Sequence, residues 1–292
     1  TPLLNLKSTD STVNKRLLDT IDRCKIFGFS DIICRLFFIN THPNSRSIPD
    51  YTMTDSHIHN TAEQSNNNQA YTAEQWSKIE TVLLDMDGTL LDLHFDNYFW
   101  LQFMPEKYAE LFGIEREEAN RVLKQASDET SGTLNWYCLD YWSERLNMPV
   151  AELKHDIVEK IQYRPHVKDF LEMLKQQGKR AVIVTNAHRD SVSLKMSKTG
   201  LDQLVDRIIS SHDYQEPKES QAFWQHLQQD EPFNLETTLL IDDSQAVLNS
   251  ARKWGFQHLL TIFHPDSKKA PNTDSEHLGI HHFDELIYKD DT

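Results

Sequence analysis

The sequence predicts an α/β fold: an open parallel sheet with helices on both faces and a helical insert behind its first strand. Three observations lead there. Short apolar runs at 81–85, 181–185, 207–210, 238–242 and 257–262 alternate with longer helical patterns. Alternating βα units of this kind imply a parallel sheet covered on both sides. Residues 94–160 break the alternation with a pattern that is helical almost throughout. Finally, three of the strand candidates run out into polar residues able to do chemistry, and ligands of such sheets bind outside the carboxyl ends of the strands.

Taken in order, residues 1–75 are expected to be an N-terminal extension, partly disordered. Residues 54–75 are rich in Asn, Gln, Ser, Thr and His, a composition that buries too little apolar surface to order itself. His57 and His59 read as part of a solvated tail rather than a metal site. Met53, which opens the polar segment, is a candidate biological start. The apolar run Ile26–Ile39 carries Asp31 and Arg35 and is too short to span a membrane. A core domain is expected over 76–93 and 165–292, with a helical cap over 94–164 between its two parts. Within the core, Pro165 suits the first turn of a helix at 166–177 that stops before Gly178. Further helices are expected at 189–199, ending at Gly200, at 218–229, and at 244–254, where Gly255 suits the C′ position.

The chemistry begins at Asp85-Met-Asp87-Gly88-Thr89. Strand positions i and i+2 share a face, so the two carboxylates fall close together at the strand's end. Gly88 lets the chain turn where a side chain would clash. Two acids this close repel each other unless a cation sits between them, and a hard divalent ion does so best. The site therefore reads as Mg²⁺ plus a carboxylate nucleophile or ligand. A phosphoryl group would need three further elements: a hydroxyl or amide donor, a fixed cation and additional carboxylates. Thr185 and Asn186 end the run Ala181–Val184. Lys218 follows Pro217 and opens the helix expected there. Asp242 and Asp243 end Thr238–Ile241, with Asp243 expected to touch the metal and Asp242 to touch it or lie just behind.

This ordered set resembles the four motifs of the haloacid dehalogenase-like (HAD) superfamily, whose core is Rossmann-like. The resemblance runs from residue 81 to about 262. It implies Asp85 as the nucleophile that forms an aspartyl-phosphate, and Asp87 as the acid that protonates the leaving oxygen and then activates water. It also implies Thr185, Asn186 and Lys218 on the phosphoryl group, and Mg²⁺ on Asp85, the Asp87 backbone carbonyl and Asp243. An acid at position 87, where the superfamily's transport ATPases carry Thr, points to phosphatase or mutase chemistry.

The segments Leu90–Trp100 and Thr133–Glu144, together with Thr185–His188 and Tyr214–Lys218, are similar to the distinctive segments of the bacterial GMP/IMP 5′-nucleotidase group. That similarity implies purine mononucleotides as substrates. The residues by themselves support a phosphate monoester, with small sugar or glycolate phosphates as the alternative. The insert's aromatic residues include Trp136, Tyr137 and Tyr141, whose near-helical spacing favours packing, with room for one ring to stack on a base.

A formal net charge of −15 argues against nucleic-acid polymers and anionic membranes as partners, because both select basic surfaces. It leaves a small phosphorylated molecule open, since a bound metal reverses the local field. Cys24, Cys34 and Cys138 are odd in number and lack metal-ligand spacing, so free thiols in a reducing cytoplasm are expected.

Overall fold

The computed structural model describes residues 71–288. The readings for Met53, His57, His59, Cys24, Cys34 and most of the N-terminal extension lie outside the described residues. No helix among the described residues is long and apolar enough to cross a membrane.

Six strands form one sheet in the order β3-β2-β1-β4-β5-β6. They are β1 (Thr81–Leu84), β2 (Arg180–Thr185), β3 (Arg207–Ser210), β4 (Thr238–Asp242), β5 (His258–Ile262) and β6 (Gly279–Ile280), and every pairing is parallel. Five correspond to the expected apolar runs. The sixth has two residues and no readable periodicity. It lies so close to β5 that a Cβ on Gly279 would meet Thr261 Cγ2 at 2.5 Å.

The apolar runs are continuous because both sheet faces are covered, and strand alternation divides them between two cores. Val82, Leu84, Ala181, Ile183, Leu239 and Ile241 pack on the side of Phe170, Leu171 and Leu174. Leu83, Val182, Val184 and Leu240 pack on the other, with Phe223, Trp224, Leu227 and Leu248. From β1 the chain winds outward through β2 and β3, then returns to β4 on the opposite flank of β1. The topological switch point therefore lies between β1 and β4, where a crevice opens at the strands' carboxyl ends.

The insert is helical, as expected, but segmented. It runs through His94–Tyr98, a π-helical turn at Phe99–Phe103, Met104–Phe112, Arg116–Thr130, a 3-10 turn at Leu134–Tyr137, Leu139–Leu146, Val150–Leu153 and a second 3-10 stretch at Lys154–Lys160. Its two connections to the sheet domain lie side by side. The Asp92 N–H donates to the Gln162 carbonyl at 2.9 Å, and the Arg164 N–H to the Leu90 carbonyl at 3.0 Å.

One helix start differs from expectation. The helix expected at 218–229 begins at Gln221, because Ser220 caps it by accepting the Ala222 N–H. Lys218 thus sits in the loop ahead of the helix and is free to reach back towards the sheet.

Candidate active site

Asp85 leaves the end of β1 with its own N–H held by the Ile241 carbonyl at 2.9 Å, so β4 fixes where this carboxylate emerges. Three residues on, Gly88 has φ +92°, and a Cβ there would lie 2.6 Å from Asp243 Oδ2. A glycine is required both by the conformation and by the close approach of that acid.

Lys218 is the centre of the arrangement. Its Nζ donates to Asp85 Oδ1 at 2.6 Å, to Asp242 Oδ2 at 2.7 Å and to the Val184 carbonyl at 3.0 Å. All three ammonium protons are therefore placed. Burial works against the charge, but Asp242 and Asp85 outweigh it and hold Lys218 above its ordinary pKa. Asp242 Oδ1 accepts the Ser244 N–H at 2.9 Å. Asp243 takes no hydrogen bond from a described side chain. Burial, and then repulsion from Asp85 and Asp242, pushes its carboxyl well above the usual range.

One carboxylate oxygen from each of Asp85, Asp242 and Asp243 lies within 4.8 Å of the others. Asp85 and Asp242 share the Lys218 ammonium, while Asp243 has no hydrogen-bond donor on it among the described side chains. An all-oxygen donor set carrying this surplus negative charge fits a hard divalent cation.

Asp87 faces the same crevice, and its Oδ1 accepts from Lys195 Nζ at 2.6 Å. Burial raises its pKa to about 6 against the pull of Lys195, with Asp96 and Asp85 adding to the rise. Asp85 also stands at about 6, raised by burial and held back by Lys218. Thr185 is buried at the end of β2, and its hydroxyl accepts the Ala187 N–H at 3.0 Å. Asn186 is engaged at both ends of its amide. Nδ2 donates to Glu219 Oε2 at 3.0 Å, and Oδ1 accepts the Lys218 N–H at 2.9 Å.

All seven sequence-predicted site residues, Asp85, Asp87, Thr185, Asn186, Lys218, Asp242 and Asp243, line one cavity of about 610 Å³. Its outer wall comes from the insert, including Trp100, Leu101, Leu123, Trp136 and Trp142. Here the packing expectation for the aromatic run needs correction. Leu134–Tyr137 is a 3-10 turn and not part of an α-helix with Tyr141, so Trp136 stays 40% exposed while Trp142 is buried. The Tyr137 hydroxyl crosses to the sheet domain and donates to Glu219 Oε1 at 2.7 Å.

Sequence reasoning missed a buried charge chain behind Asp87. Lys195 Nζ also donates to Asp96 Oδ2 at 2.7 Å, and Asp96 Oδ1 accepts from Lys154 Nζ at 2.7 Å. Both lysines lie over the Phe95 ring, at 5.3 and 5.2 Å. It also missed Arg164, whose guanidinium binds the Thr89, His264 and His281 carbonyls and ties the first loop to the far strands. No pattern marks these residues, because a lysine among Ser, Met and Leu reads as a solvated position.

Comparison with known proteins bears on the family and the fold. A family model described as haloacid dehalogenase-like hydrolase matches residues 82–261. A curated protein of Escherichia coli K12, GMP/IMP nucleotidase YrfG, is 39% identical over 212 residues, covering 73% of this chain and 96% of that one. The crystal structure of a HAD phosphatase from Thermococcus onnurineus matches with a TM-score of 0.60 at 21% identity, covering 71% of this chain and 96% of its own. The HAD-hydrolase YfnB from Bacillus subtilis, solved bound to magnesium, matches at 0.50 and 22% identity over 71% of this chain and 96% of that one. The two structural likenesses bear on the fold.

Proposed function

The chain belongs to the haloacid dehalogenase-like hydrolase family, and from that premise we propose that it is a Mg²⁺-dependent phosphatase of purine nucleoside 5′-monophosphates. The observation that carries the reading is the Lys218 ammonium set between Asp85 and Asp242, with Asp243 beside them. That grouping supports the reading because the chemistry needs a nucleophilic carboxylate, a fixed cation and a divalent-ion site around one point.

In this reading Asp85 attacks phosphorus and forms an aspartyl-phosphate, while the ester oxygen leaves with a proton from Asp87. Asp87 then takes a proton from water, which attacks the phosphorus. Phosphate is released and the Asp85 carboxylate regenerated. A carboxyl with a pKa of about 6 is suited to both halves near neutral pH. Thr185 and Lys218 orient the phosphoryl group. Asn186 holds Lys218 and Glu219 in register. Asp85, Asp242 and Asp243 would hold Mg²⁺, which when bound supplies positive charge at the phosphoryl oxygens. The insert acts as a cap over 94–164, shielding the reacting atoms from bulk water, and its Trp136 face offers a surface for a flat base.

The purine preference rests on the 39% identity to the GMP/IMP nucleotidase, supported by the aromatic wall. The test is phosphate release with and without Mg²⁺ across GMP, IMP, AMP, hexose phosphates and phosphoglycolate. GMP and IMP are expected to give the highest kcat/KM. Equal or faster turnover of the sugar phosphates or phosphoglycolate would overturn the substrate assignment, and no Mg²⁺-dependent release from any ester would overturn the reaction.

A further inference from the structure

Beside the mouth of the cavity, three side chains from separate elements converge with a different chemistry. Cys138 caps the helix Leu139–Leu146 of the insert, its sulfur accepting the Tyr141 N–H at 3.5 Å. His188 caps the helix Arg189–Thr199 behind β2. His212 sits in the 3-10 turn Ser211–Asp213 behind β3. One sulfur or nitrogen from each lies within 4.8 Å of the other two. The two imidazoles meet edge to face, with ring centroids 5.0 Å apart.

A second observation sets this cluster apart from ordinary packing. His212 Nε2 is buried and has no hydrogen-bond partner among the described residues, an unfavourable state for a polar atom when nothing takes it. Burial, and then His188, lowers the His212 pKa to about 4, so the ring is neutral and carries a free lone pair, the form that binds metals. Asp140 Oδ2 lies 3.5 Å from His188 Nε2 but is grouped with His188 and Asp190 rather than with the other two donors, which leaves the fourth position of a tetrahedron to water.

We propose that Cys138, His188 and His212 form a second metal site, selective for a zinc-class ion and separate from the all-oxygen site of Asp85, Asp242 and Asp243. One thiolate and two imidazoles suit Zn²⁺, whereas Mg²⁺ prefers oxygen. Ordinary Zn–N and Zn–S lengths in a tetrahedron need donors about 3.4–3.6 Å apart, a modest closing of the present cluster. On binding, the Cys138 thiol releases its proton to solvent, and nothing is oxidised or reduced. Cys138 belongs to the insert, and the two histidines to loops of the sheet domain. The ion therefore pins one to the other next to the Tyr137–Glu219 contact and slows any opening needed for exchange of substrate and product. The binding does not depend on which ester the enzyme hydrolyses. Its inhibitory effect rests on the phosphatase reading.

The experiment titrates Co²⁺, as a spectroscopic stand-in for Zn²⁺, into the full chain, chelator-treated and reduced, with Mg²⁺ in excess to occupy the carboxylates. A saturable thiolate-to-cobalt charge-transfer band with tetrahedral d–d absorption, displaced by Zn²⁺, is expected at one equivalent. Cys138→Ser keeps a helix-capping oxygen and should lose the charge-transfer band. His212→Ala should weaken Co²⁺ binding at least tenfold. No saturable band, or a band that Cys138→Ser retains in full, would overturn the proposal; the latter result would assign the metal to Cys24 or Cys34. Zn²⁺ in the presence of Mg²⁺ should lower turnover of the parent protein and spare Cys138→Ser. If the protein hydrolyses no phosphate ester, the cobalt spectrum still decides the site.

Discussion

Replacing Lys195 by Met would remove the cation that Asp87 shares with Asp96 while keeping the length of the side chain. In the parent protein burial raises the Asp87 pKa to about 6 and Lys195 keeps it from rising further. At pH 7 the ionised form is then favoured over the protonated form by about one pH unit, or ~1.4 kcal/mol. Without Lys195, Asp87 remains protonated in the folded state and that increment disappears. Above pH 6 the folded variant thus holds one more proton than the folded parent, so its stability relative to the parent falls as pH rises. At pH 5 both are protonated at this position, and the increment is close to zero. Asp96 keeps Lys154 at 2.7 Å, one of the two lysines that hold it below the ordinary carboxylate range in the parent, and with that cation in place it is expected to stay ionised over this window. Urea denaturation in EDTA should therefore show a deficit about 1.4 kcal/mol larger at pH 7 than at pH 5. An equal deficit at the two pH values would refute the idea that Lys195 holds an ionised Asp87. Turnover should fall as well, since the carboxylate loses the contact that aims it.

Three further outcomes are expected. Asp85→Asn should lower kcat by about 10³-fold or more with the urea midpoint retained, and a variant turning over at the parent rate would remove Asp85 from the nucleophile's role. Gly88→Ala should weaken Mg²⁺ binding about 10–100-fold, because its Cβ meets Asp243 Oδ2 at 2.6 Å on a backbone with φ +92°; isothermal titration with Mg²⁺ reads this directly. Tyr137→Phe removes a hydrogen bond to the Glu219 carboxylate at 2.7 Å, worth about 1.5–3 kcal/mol. Its main effect should be a roughly tenfold or larger rise in KM with kcat little changed, measured by steady-state phosphate release.

The fold was legible because parallel strands covered on both faces must be apolar throughout. The runs at 81–85, 181–185 and 238–242 show this directly, whereas two-residue β6 has too little length to carry a period. Asp85, Asp87, Thr185, Asp242 and Asp243 were legible for a related reason. Acids and hydroxyls that end a buried run are placed by the backbone at the sheet's carboxyl edge, whatever the rest of the chain does. The helix expected to open at Lys218 shows the limit of local signals, since Ser220 two residues later provides the better cap.

Sequence alone determined the βα order, the helical insert and the acids at the strand ends, because periodicity and the turn at Gly88 are properties of neighbours in the chain. Tertiary structure alone decided which charges face one another. Lys195, Lys154 and Asp96 come from different segments and carry no local mark of burial, as do Cys138, His188 and His212. Their meeting depends on how the insert folds back over the switch point between β1 and β4, a long-range packing outcome that no short stretch of residues encodes.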